Sequence, residues 1–87
     1  MEIPKKLKIG GHEYTVELVD PETLDNDCGK MNPRRNLIQI SSDMPQSQLE
    51  ETLLHEIIHA CNGGLPEETV DGLAHSLYQV LKDNKLI

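Results

Sequence analysis

The chain reads as an α+β domain: a small N-terminal antiparallel β-sheet of two hairpins, followed by two helices packed on each other. Three observations predict it. Residues 1–41 alternate apolar and polar side chains around turn residues, residues 45–62 and 66–82 carry apolar side chains at helical spacing, and Asn62-Gly63-Gly64 separates those two stretches. At 87 residues the whole is one domain, 1–87. A chain of that size buries only about 60–65% of its unfolded surface. With no Phe and no Trp, its core must come from Leu, Ile and Val, with Tyr14 and Tyr78 as the only aromatics.

In the β-region, Lys6-Leu7-Lys8-Ile9 and His12 to Leu18 flank Gly10-Gly11, a pair suited to the positive φ of a tight hairpin turn. Leu7, Ile9, Tyr14, Val16 and Leu18 are expected on one face, and His12 in solvent. Asp20 to Asp27 is acidic and turn-rich, with one helical turn after Pro21. It lacks the glycine and closing Glu of a calcium loop and is read as a solvated connector. Residues 28–31 run extended into the turn Asn32-Pro33-Arg34-Arg35 and return as Asn36 to Ser41. Left at the sheet edge, that returning strand would offer free backbone groups to an extended peptide.

Ser47-Gln48-Leu49-Glu50 has the form of a capping box, although Asp43-Met44-Pro45 allows a start one turn earlier. The first helix then runs to about Cys61, where Gly63 or Gly64 can supply a left-handed cap. Pro66 suits the first position of the second helix, whose apolar stripe is Val70, Leu73, Ala74, Leu77, Val80 and Leu81.

The net charge of −7, spread along the chain, argues against nucleic-acid or anionic-membrane partners. No apolar run approaches the roughly 20 residues needed to span a bilayer, and no signal-type segment follows Met1. A cytoplasmic protein is expected. Cys28 and Cys61 are then two reduced thiols, Cys61 packed in the core and pointing away from His59.

Chemistry concentrates in His55-Glu56-Ile57-Ile58-His59. Helical residues four apart differ by about 40° in azimuth and about 6 Å along the axis, so the two imidazoles face one point. One divalent ion can accept both, and zinc suits neutral imidazole nitrogen. Glu56, on the turn between them, lies beside the ion's open position and is the natural base. The HExxH pattern arises by chance often enough that its setting matters. Here the helix is otherwise apolar, and two buried histidines without partners would be costly.

A catalytic zinc site usually takes three protein ligands. The Gly-Gly turn returns Glu67 and Glu68 towards His59, although both also complement the helix dipole. Glu67 is favoured over Glu68 because Asp71 lies one turn further on the same face, where it can orient a histidine ligand.

HEIIH followed by Glu67-x-x-x-Asp71 resembles the gluzincin branch of zinc peptidases. The whole chain is similar to minimal zincin domains of the ImmA/IrrE-like and minigluzincin kind, and Leu73 to Tyr78 resembles the second helix of the ImmA/IrrE group. The resemblance implies a zinc-dependent endopeptidase in which an active-site helix carries the ligands His55 and His59 and the base Glu56. It also implies a glutamate helix that supplies Glu67 as third ligand and Asp71 to orient a histidine. Larger gluzincins stabilise the oxyanion with a Tyr or His from a further subdomain. His75 and Tyr78, about 12 and 16 Å along the axis from Glu67, are not expected to reach that position. The partner is then a peptide or protein substrate. The alternative is a non-catalytic, zinc-stabilised protein-binding module of the same fold. A helix-turn-helix DNA binder is opposed by the acidic charge.

Overall fold

The computed structural model describes residues 1–87. Strands β1 (Lys6–Ile9), β2 (His12–Val19), β3 (Gly29–Asn32) and β4 (Leu37–Ser41) precede helices α1 (Gln46–Cys61) and α2 (Glu67–Asp83). Both hairpins form. β1 pairs antiparallel with β2, and β3 with β4. Gly10 and Gly11 take φ of 58° and 83°, the left-handed pair that the β1–β2 turn requires.

The hairpins join differently from the expected antiparallel sheet. The strand order is β1-β2-β4-β3, with β2 parallel to β4, so the sheet is mixed and β3, rather than the returning strand β4, lies at the edge. Side-chain burial explains the choice. Ile38 and Ile40 of β4 are wholly buried, as a central strand demands, whereas the short Gly-Lys-Met-Asn of β3 has little to lose at an edge. A one-turn 3-10 helix, Pro21–Leu24, lies in the connector and anchors it through buried Leu24, so that segment is not wholly solvated.

The core forms where Ile9, Tyr14, Val16, Ile38 and Ile40 of the sheet meet Leu49 and Leu53 of α1. Leu18, expected on this face, is 50% exposed. Helix α1 is sandwiched between the sheet and α2, and every residue from Leu49 to Ala60 is buried or half-buried. Cys61, at the last position of α1, is exposed rather than in the core. Helix α2 packs chiefly on α1. It buries Val70 and Ala74 and leaves Leu73, Leu77 and Val80 exposed, so its apolar stripe is only partly used.

The helix ends depart from expectation in three places. Pro45 caps α1, so Ser47 lies inside the first turn and forms no capping box. Asn62 ends the helix in an extended conformation, its Oδ1 accepting a hydrogen bond from Gly64 N at 3.1 Å, and neither Gly63 nor Gly64 is left-handed. Pro66 stands at the cap of α2, one position before its first helical residue.

Glu50 is wholly buried between the helices. Its Oε2 accepts from the Met1 ammonium at 2.8 Å and Gln46 Nε2 at 3.0 Å, and its Oε1 from Tyr78 Oη at 2.7 Å and Lys82 Nζ at 3.4 Å. The ammonium, with the other donors, lowers this carboxyl to about 2. Donating to Glu50 in turn raises the Tyr78 hydroxyl to about 12. These bonds tie the C-terminal half of α2 to the N-terminal half of α1.

Candidate metal centre

One helical turn apart on α1, His55 and His59 bring their Nε2 atoms to 3.1 Å, with ring centroids 4.8 Å apart. The first turn of α2 delivers Glu67 across them, its Oε1 lying 2.7 Å from His55 Nε2 and its Oε2 2.9 Å from His59 Nε2. One ligand atom from each of His55, His59 and Glu67 lies within 4.8 Å of the other two. Glu68, the other acidic residue of that turn, takes no part in the group. Cys28 lines the adjacent groove but is not among these donors either.

The tautomer of His55 follows from Asp71, whose Oδ1 lies 3.0 Å from His55 Nδ1. A carboxylate only accepts, so Nδ1 carries the hydrogen and the Nε2 of a neutral ring carries a lone pair. That lone pair faces a carboxylate oxygen at 2.7 Å. Two acceptors at this distance repel unless a proton or a cation lies between them. Tetrahedral zinc at about 2.0–2.1 Å from each donor sets neighbouring donors roughly 3.3 Å apart, close to the spacing found here. The donor set therefore fits the ion. The histidine side chains are 16% and 19% exposed and Glu67 is 64% exposed, so two ligands are held by packing while the third faces solvent.

Glu56, on the turn between the two histidines, lies under the edge strand β3, lines the same groove and is 5% exposed. Burial, and then the negative charges of Glu67, Asp27 and Asp71, raise its carboxyl to about 7. A bound dication would act in the opposite direction.

An open groove of about 860 Å³ runs over these groups. Cys28, Gly29 and Met31 line one side, and Glu51, Thr52 and His75 the other. Ser41 N donates to Cys28 O at 2.8 Å. By the alternation of an antiparallel ladder, this turns the N–H and C=O of Gly29 and Met31 outward, towards the groove. His75 is exposed and bonded to Glu51 at 3.1 Å, and the Tyr78 hydroxyl is held at Glu50, so neither points at the imidazole pair. Asp27, Gly29 and Thr52 escaped sequence reasoning as site residues. Asp27 looked like one more acidic loop residue, and no local pattern marks the other two.

Comparison of the chain with known protein families, with curated proteins and with solved structures finds no match.

Proposed function

We propose that this protein is a zinc-dependent metallopeptidase-like hydrolase. His55, His59 and Glu67 hold the ion, Asp71 orients His55, and Glu56 serves as catalytic base. The observation that carries the reading is the convergence of His55, His59 and Glu67 on one point, with Asp71 held at Nδ1 of His55. When bound, zinc would polarise a substrate carbonyl and acidify water. Glu56 would accept a proton from the attacking water and return it to the leaving amine. An extended peptide would align with the outward backbone groups of Gly29 and Met31, so the edge strand in question is β3.

Peptide or protein substrates fit this groove better than nucleic acid, which a net charge of −7 repels. No helix is long and apolar enough to cross a membrane. Two free thiols suit a reducing compartment, and we extend the proposal to the cytoplasm.

The second reading, a zinc-stabilised binding module, is favoured by one observation: His75 and Tyr78 are both bonded to glutamates of α1, so neither is free to stabilise an oxyanion. Zinc content of wild type against His55→Ala tests the centre, and equal content in both would remove it. Cleavage of unfolded proteins by wild type but not by Glu56→Gln supports the hydrolase. Equal rates leave the module.

A further inference from the structure

Six glycines occur in the chain, and only Gly29 has its missing side chain replaced by neighbours. A methyl carbon built there would lie 2.7 Å from Thr52 Cγ2, 3.0 Å from Glu56 Oε2 and 3.2 Å from the backbone oxygen of Gln39. At Gly10, Gly11 and Gly72 it would meet nothing within 4 Å. Gly29 does not have a positive φ, so its backbone conformation is open to any residue and gives no reason for glycine. Space is the remaining reason.

The register shows what that space is used for. Position 29 lies on the same face of β3 as Met31, which packs against the core, so its side chain would be aimed at α1. Thr52 and Glu56 stand one helical turn apart beneath it. The carboxylate thus occupies room that any larger residue at 29 would claim. The backbone oxygen of Gln39, in central strand β4, blocks relief on the other side.

We infer that Gly29 is a positioning residue for Glu56: its bare Cα lets the edge strand close over the carboxylate and fixes where that carboxylate stands beside the imidazole pair. The inference rests on the proposed metal centre and adds a residue to it. An alanine at 29 must either lift β3 from α1 or turn the carboxylate away. None of the proposed zinc ligands supplies any of the three atoms nearest the added methyl.

The test is a double-mutant cycle between Gly29→Ala and Glu56→Gln on zinc-loaded protein, read by acetohydroxamate affinity in titration calorimetry. Acetohydroxamate chelates zinc and donates its hydroxyl proton to a neighbouring carboxylate, so its affinity reports the position of Glu56 without requiring turnover. Zinc content and melting temperature are measured in parallel. Gly29→Ala should keep its zinc and bind acetohydroxamate about ten- to a hundredfold more weakly. Added to Glu56→Gln, it should cost nothing further.

If Gly29→Ala unfolds, the cycle is run in a Thr52→Ser background, which removes the methyl at 2.7 Å and keeps the carboxylate contact. Wild-type affinity in Gly29→Ala, or an equal loss in both Glu56 backgrounds, overturns the inference and leaves the metal centre standing. Failure of wild type to take up zinc removes both.

Discussion

Two glutamates six residues apart on α1 are both buried, and they show opposite electrostatics. Glu50 is surrounded by an ammonium, an amide, a hydroxyl and a lysine, and its carboxyl falls to about 2. Glu56 has no such donors, and burial, with the charges of Glu67, Asp27 and Asp71 added to it, raises its carboxyl to about 7. Burial alone therefore does not set the role of an acidic side chain; the partners buried with it do. Glu50 joins the two helices. Glu56 stands uncompensated beside a cluster of electron-pair donors, the condition in which a carboxyl near neutrality can exchange protons.

Replacing each glutamate by its amide separates the two roles. Glu56→Gln should lower peptide hydrolysis by about a thousandfold, in the range for a lost general base. The metal-free variant should melt no lower than wild type, because the amide avoids burying a charge. A drop of several degrees would make Glu56 a structural residue like Glu50.

Zinc comes next in size. At a free concentration one hundred times its dissociation constant it should stabilise the fold by about 2.7 kcal/mol. For a domain this small, that is a rise in melting temperature on the order of 10 °C. His55→Ala should show no such rise, and an equal rise would place the ion elsewhere.

Glu50→Gln should cost about 2 kcal/mol, the scale for hydrogen bonds to a charged group. It should leave the zinc stoichiometry unchanged. Urea unfolding and metal analysis of the same sample check both halves, and loss of zinc would show that the Glu50 cluster also places Glu67.

The pH profile of the metal-free protein separates the two residues as well, because they act in opposite senses. Glu50 has its folded value below the ordinary 4.5, so the stability it contributes is present above about 4.5 and is lost as pH falls towards 2. Glu56 has its folded value above 4.5, so its contribution is present below 4.5 and is lost as pH rises towards 7. Stability should peak near pH 4.5. In Glu56→Gln the fall between 4.5 and 7 should disappear, and its persistence would assign that slope to other groups.

The parts of this molecule that could be read directly from the chain are those set by short-range geometry. The turn at Gly10-Gly11 depends on two φ angles, and the pairing of His55 with His59 depends on the pitch of one helix, so neither needs knowledge of distant residues. The same holds for the α+β layout, since apolar periodicity changes from strand to helix at about residue 45.

Where chain segments far apart must choose partners, local spacing does not decide the outcome. β4 entered the sheet beside β2 because Ile38 and Ile40 gain most at its centre, and that moved the free edge to β3. Glu50 has the spacing of a capping residue, but contacts with Met1 and with α2 gave it another environment. The spacing to Asp71 favours Glu67 over Glu68, but only the docking of α2 brings the Glu67 carboxylate to the imidazoles. The space beneath Gly29 is occupied by a side chain 27 positions further along. Local spacing is imposed by bond geometry, whereas these four outcomes come from burial and charge summed over the whole fold, which no window of sequence contains.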